Sequence, residues 1–259
     1  MKFPIYQVDA FTNRRFGGNP AAVVLLEEWL PDAVMQNIGL ENNLSETAFV
    51  IPREDVSPLR WFTPTVEIDL CGHATLAAGY VLFKYQFPLV DSLQFQTRSG
   101  KLGVRHDGPL FVLDFPSLPP LPEAVPETSS SLGVSPREIL RSNALVAVFD
   151  TEAEILGIRP DFERLKTLGS HMITVTAPGS SSDYVFRVFG PAAGIPEDPA
   201  TGSAQCSLVP YWSARLGKTN LTSRQLSQRS GDFVCGLHGD RVSISGGVVE
   251  YLRGEIDVG

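Results

Sequence analysis

The chain has few cysteines, few histidines and no long apolar run, and each shortage excludes a class of protein. Only Cys71, Cys206 and Cys235 occur among 259 residues. Their number is odd, their spacings are wide and no CxxC is present, which argues against a disulfide framework or a structural zinc site. The four histidines, His73, His106, His171 and His238, stand far apart, so no multi-histidine metal motif is present. No apolar stretch approaches the ~18 residues that span a bilayer. The opening Met1–Tyr6 soon reaches Asp9 and never builds the apolar core of a signal peptide. These shortages lead to the expectation of a cytoplasmic protein with no membrane partner. HExxH, the P-loop, GxSxG and a Gly-x-Gly dinucleotide fingerprint are also missing.

What remains is a packed, acidic chain. Hydrophobic residues make up 43% and charged residues 19%, too apolar a balance for disorder. A formal net charge of -8 argues against a nucleic-acid surface. It does not exclude a small anionic ligand, because a site can be locally positive in an acidic protein.

Hydrophobic patterning predicts strands at 5–8, 21–25, 47–51 and 59–62, with a short helix over 33–40 capped by Asp32. Residues 71–85 read as a helix with few charges, buried on most sides. A meander follows at 93–97, 101–105 and 110–115. Pro116–Ser131 is dense in Pro, Ser and Glu and reads as an interdomain linker. It separates two domains, 1–116 and 117–259. In the second, Ser135-Pro136-Arg137-Glu138 has the pattern of a helix N-terminus. Strands are expected at 144–149, 172–176 and 184–189, then a second apolar helix over 201–216. A second meander follows near 225–228, 233–235, 241–245 and 248–252. Mixed strands with few helices define an α+β fold. The simplest plan is two pseudo-symmetric domains, each a curled β-sheet or barrel around a central α-helix, with the N-termini of helices 72–85 and 202–216 meeting where the domains face each other.

Those two helix starts resemble one another. One reads Glu67-Ile68-Asp69-Leu70-Cys71-Gly72-His73-Ala74 and the other Glu197-Asp198-Pro199-Ala200-Thr201-Gly202-Ser203-Ala204. Both run acid, three residues, Cys or Thr, Gly, a polar residue, Ala. Each helix start offers unpaired backbone N–H groups and a positive dipole end to an anion. Ordinary caps would look the same singly; the pairing, with ionisable residues around both copies, favours a site.

Glu46, in Leu44-Ser45-Glu46-Thr47-Ala48-Phe49, stands at the entry to an apolar strand, where partial burial suits a general base. His73 lies just inside its helix, where the dipole disfavours imidazolium and favours a neutral ring. Asp198 leads into the second helix. Asn19 in Gly17-Gly18-Asn19-Pro20 is a polar contact in a tight turn. Each, taken alone, is also what a loop acid, a helix cap or a turn would contain.

Taken together, these segments resemble the phenazine-biosynthesis isomerase-like (PhzF-like) family. The resemblance rests on Val8-Asp9-Ala10-Phe11-Thr12, Gly17–Val23, Leu44–Phe49, Phe62-Thr63-Pro64, Leu70–Thr75 and Glu197–Ala204, in that order along the chain. It implies a diaminopimelate-epimerase-like fold, an isomerase that needs no metal and no organic cofactor, and a homodimer. It implies Glu46 as the proton-shuttling carboxylate with His73 and Asp198 as catalytic partners. Asn19, Ser45, Gly72, Gly202 and Ser203 are then the substrate contacts, and the substrate is a small carboxylate. Related amino-acid epimerases use a thiol at each helix start. Here Cys71 occupies the first position and Thr201 the second, and a threonine hydroxyl is too weakly acidic to replace a thiolate. A single base, Glu46, fits better than two-thiol racemisation. Gln205 replaces a histidine common in the family, and Ser230-Gly231-Asp232-Phe233 also departs from the family pattern. A racemase or epimerase using Cys71, and a non-catalytic ligand-binding or interaction protein on the same fold, are the alternatives.

Overall fold

A computed structural model describes residues 1–259. In chain order the first elements are β1 (Lys2–Ala10), β2 (Asn19–Leu25), α1 (Asp32–Asn42), β3 (Glu46–Val50), β4 (Ser57–Phe62) and β5 (Glu67–Ile68). Then come α2 (Gly72–Tyr85), β6 (Ser92–Thr97), β7 (Gly100–Asp107), β8 (Leu110–Pro116), β9 (Leu121–Pro122), α3 (Glu127–Leu132), β10 (Glu138–Arg141) and β11 (Leu145–Val148). The remainder is α4 (Glu152–Gly157), α5 (Phe162–Leu165), β12 (Ile173–Pro178), β13 (Tyr184–Phe189), α6 (Gln205–Leu216), β14 (Asn220–Gln225), β15 (Gly231–His238), β16 (Arg241–Gly246) and β17 (Val248–Asp257). The chain forms two compact units, Met1–Asp114 with Ser245–Gly259, and Phe115–Ile244.

The two units follow one plan. In the first, β1 and β2 are antiparallel, β2 and β3 parallel, and β3 and β4 antiparallel; α2 follows, then β4 and β6 are parallel and β6 and β7 antiparallel. In the second, β10 and β11 are antiparallel, β11 and β12 parallel, and β12 and β13 antiparallel; α6 follows, then β13 and β14 are parallel and β14 and β15 antiparallel. The same pairings recur in the same order, so the fold is α+β with pseudo-symmetric halves.

In the first unit α2 packs on β1, β2, β3, β7 and β17, so the sheet curls round it. The reason is in its composition: the helix carries no acid and only His73 and Lys84 as basic side chains, and Gly72–Gly79 and Val81–Phe83 are buried. The outer face of β2, β3 and β4 is covered by Met35 and Ile38 of α1, packed on Val24, Phe49 and Phe62. In the second unit Leu132, Ile155 and Leu165 from the short helices cover Ala147, Ile173, Val175 and Phe189 of the sheet. Helix α6 contains Pro210, whose missing N–H leaves the Cys206 carbonyl without its helical donor. The Leu118 N–H takes that carbonyl at 2.8 Å, so the helix continues through the proline.

Several local expectations do not hold. Pro116–Ser131 is no linker: it contains β9 and the first part of α3, with Thr128, Ser131 and Leu132 buried. The helix expected at Ser135–Glu138 is replaced by β10, whose backbone pairs with both β9 and β11. That pairing overrides a local capping pattern. The capped helix is instead α4, where the Thr151 side chain and Glu154 form a reciprocal capping box. The strand placed at 225–228 lies earlier, at Asn220–Gln225. Asp32 does not cap α1; its carboxylate binds Arg60 Nη1 at 2.9 Å. The final strand, β17, pairs along β1 and carries Ser245–Gly259 into the first unit. No helix is long and apolar enough to cross a membrane.

Gly79 shows how tightly α2 is enclosed. A Cβ added there would meet the Val104 Cγ1 at 2.8 Å and its Cβ at 3.1 Å. Alanine would raise helix propensity by ~1 kcal/mol, but overpacking against a branched, immobile neighbour costs about 1–3 kcal/mol. Gly79→Ala is therefore expected to lower the urea midpoint; a higher midpoint would show that the sheet gives way.

Candidate active site

Each helix start is held by a clamp of the same construction. In the first unit, Arg60 of β4 binds Glu67 through Nε and Nη2, both at 2.7 Å, and its guanidinium lies 5.2 Å from the Phe62 ring centre. In the second, Arg187 of β13 binds Glu197 at 2.7 and 3.0 Å and lies 4.9 Å from the Phe189 ring centre. The acid that opens each repeated motif thus anchors the loop before the helix to an Arg-x-Phe strand. Bidentate geometry and partial burial make these pairs stronger than surface ion pairs. The sequence reading missed both arginines, although Arg60-Trp61-Phe62 and Arg187-Val188-Phe189 repeat in the text of the chain.

In the first unit the structure brings Asn19, Glu46, Cys71 and His73 together. Glu46 opens β3, and Cys71 and His73 occupy the N-cap and second position of α2. Asn19 starts β2 after Gly18, which has φ +62° and where any Cβ would lie 2.1 Å from the Ala10 carbonyl. Only glycine fits that turn, and the turn aims Asn19 inward. His73 Nε2 lies 3.0 Å from Glu46 Oε2, close enough for an ion pair but off the line of a good hydrogen bond, and neither atom has another protein partner. On the other side of the ring, His73 Nδ1 is 3.2 Å from Asn19 Nδ2 and 3.5 Å from Cys71 Sγ. With the amide N–H directed at Nδ1, the neutral ring carries its proton on Nε2, facing Glu46. Residue exposures of 7%, 6% and 6% for Glu46, His73 and Cys71 leave the cluster nearly dry.

Burial pushes the Cys71 thiol up, and the charge of Glu46 pushes it further. For His73, burial alone opposes the imidazolium, but Cys71 and Glu46 together outweigh it and lift its pKa well above the usual value. Cys71 is the larger of the two contributors and Glu46 the second. The direction is opposite to that expected from the helix dipole alone: the acidic groups facing the ring, one of them a carboxylate at 3.0 Å, outweigh the partial charges at the helix end. Because the folded pKa is raised, this linkage favours the folded state fully below about pH 6.5 and fades as pH rises through the folded value.

In the second unit Asp198 and Thr201 share a turn before a single 3₁₀ turn at Gly202–Ala204 and then α6. The Thr201 hydroxyl donates to Asp198 Oδ2. The turn is braced by Gln225, fully buried at the end of β14, whose Oε1 accepts the Thr201 N–H at 2.7 Å and whose Nε2 donates to the Asp198 carbonyl. Gly202 is buried and Ser203 half-buried. Gln205 points to the core, where its Oε1 accepts the Tyr184 hydroxyl. Ser45 sits half-buried in the bend before Glu46. Gln225 was not singled out from sequence, because a glutamine inside a strand carries no local signature. A cavity of about 750 Å³ near Phe3, Leu26 and Arg53 includes none of the cluster residues.

The chain belongs to the phenazine biosynthesis-like protein family, whose pattern matches residues 8–253. It is 48% identical over 257 residues to an uncharacterised isomerase of Pseudomonas aeruginosa, covering 99% of each chain. It superposes on the crystal structure of a phenazine biosynthesis protein PhzF family member from Enterococcus faecalis with a TM-score of 0.97 at 45% identity, covering 100% of both chains. A structure described as a predicted epimerase from Pseudomonas aeruginosa matches with a TM-score of 0.79 at 20% identity, over 99% of this chain and 100% of that one, and shows the fold alone. The family and the fold expected from the motifs are therefore those found.

Gln225→Ala removes both braces of the Asp198 turn and leaves the buried Thr201 N–H without its acceptor. An unsatisfied buried group costs about 1–3 kcal/mol, so denaturation should show a loss of that order, with faster hydrogen exchange at the Thr201 amide. Unchanged exchange there would remove Gln225 from this role.

Proposed function

We propose that this protein is a cofactor-independent isomerase that moves a proton along a small carboxylate by single-base catalysis. The observation that carries the reading is the buried Glu46–His73 pair at 3.0 Å, set at the N-terminus of α2 in a member of a family whose relatives are named isomerases. In this reading Glu46 removes the substrate proton and returns it to another carbon on the same face. His73 polarises the substrate or shares the proton in transit; its raised pKa favours the protonated ring, which makes it a ready donor. The amides of Gly72 and His73 have no carbonyl one turn back and bind the carboxylate. Asp198 and the Gly202 and Ser203 amides are assigned, from the family resemblance, to the substrate's other polar groups. Ser45 is assigned to substrate contact, and Asn19 acts through His73 Nδ1.

An epimerase using Cys71 is the second reading, favoured by Cys71 Sγ lying 3.5 Å from His73 Nδ1. Two features weigh against it. Burial holds the thiol in its neutral form, and Thr201, where a second thiol would stand, has its hydroxyl engaged by Asp198.

The test is a screen of small carboxylates in D₂O, read by mass spectrometry and NMR. Deuterium should enter one substrate class, and Glu46→Gln should slow incorporation by at least ~10²–10⁴-fold, the range general acid–base catalysis supplies, while the fold is kept. Full exchange in Glu46→Gln would end the single-base reading. Loss of exchange in Cys71→Ser would instead favour the epimerase.

A further inference from the structure

Glu46, Cys71 and His73 place a carboxylate oxygen, a thiol sulfur and one imidazole nitrogen within 4.8 Å of one another, all buried. These are three of the four ligand types zinc prefers to take from protein. In a tetrahedral zinc site, bonds of ~2.0–2.3 Å put neighbouring donors roughly 3.3–3.7 Å apart. Cys71 Sγ and His73 Nδ1 already stand at 3.5 Å, so two donors are in place and Glu46 closes the site by swinging from Nε2 toward the ion. Glu46 Oε2 accepts no hydrogen bond beyond its off-line contact with His73 Nε2, and a buried carboxylate oxygen in that state is open to an ion. His73 would ligate through Nδ1, releasing the Asn19 amide.

We propose that Glu46, Cys71 and His73 form a three-ligand binding site for Zn²⁺, with the fourth position open, and that zinc there competes with the acid–base pair. On binding, the Cys71 S–H bond and the added N–H bond of the His73 ring both ionise, the two protons leave to solvent, and the freed sulfur and nitrogen lone pairs form the Zn–S and Zn–N bonds. Glu46 gives its carboxylate. Two anionic donors then balance the charge of the ion, which a nearly dry pocket requires. The spacing is invisible in sequence terms because Glu46 comes from β3 and the other donors from α2, 25 residues on. The consequence for catalysis rests on the function proposed above; the metal site does not.

Titration of the purified full chain with Co²⁺, read by absorbance, tests this without any substrate. One Co²⁺ per chain should bind with a thiolate-to-cobalt band in the near ultraviolet, and Zn²⁺ should displace it. Cys71→Ser, a near-isosteric change, should abolish the band and weaken binding by ~100-fold or more, whereas Cys206→Ser and Cys235→Ser should keep it. Glu46→Gln should keep the band and weaken binding about tenfold or more. Absence of a thiolate band in the wild type, or a band that survives Cys71→Ser, would overturn the proposal.

Discussion

The first unit depends on one contact, the approach of Glu46 to His73. Two ionisable groups buried side by side are costly unless each satisfies the other. Everything around them fixes that approach. Strand β3 brings Glu46 in parallel beside Ala21 of β2, and β2 begins with Asn19, which reaches the far nitrogen of the same ring. The imidazole is therefore held from both edges, with its proton facing the carboxylate. A ring so placed does not rotate freely. The same contact sets the electrostatics: it raises the proton affinity of His73 and helps hold the Cys71 thiol neutral.

The repeated plan explains how such contacts are positioned twice without being chemically identical. Each unit uses a strand with Arg-x-Phe, an acid that returns to that arginine, and a glycine that opens the helical turn, α2 in the first unit and the 3₁₀ turn before α6 in the second. In the first unit the residue before the glycine is Cys71 and the buried partner is a carboxylate on a strand. In the second it is Thr201, whose hydroxyl turns back to Asp198 and whose amide is held by Gln225. The scaffold is conserved between halves while the side chains at the helix starts diverge.

Much of this was legible in the sequence. The apolar helix at 72–85, the early strands and the paired helix starts were visible because periodicity and glycine punctuation are local. Glu46 and His73 were legible as candidates, and their juxtaposition was not, because no local rule links a strand entry to a helix start 27 residues away. The neutral state expected for His73 came from the helix dipole alone and gave way once a carboxylate stood beside it. Local cues also misled where tertiary pairing won. Ser135-Pro136-Arg137-Glu138 looks like a helix cap, yet its residues enter a strand between two partners. Pro116–Ser131 has the composition of a linker, but buried Thr128 and Ser131 tie its end to the core. Gln225 and the two clamp arginines were silent because their roles depend on distant partners.

The central claim is that Glu46 raises the proton affinity of His73. Nitrogen-15 NMR of the His73 ring, followed through a pH titration in wild type and in Glu46→Gln, tests it most directly. The account predicts that wild-type His73 keeps its added proton well above the ordinary midpoint of about 6.5, and that Glu46→Gln lowers the midpoint. A wild-type midpoint at or below the ordinary value, or one unmoved by Glu46→Gln, would contradict it.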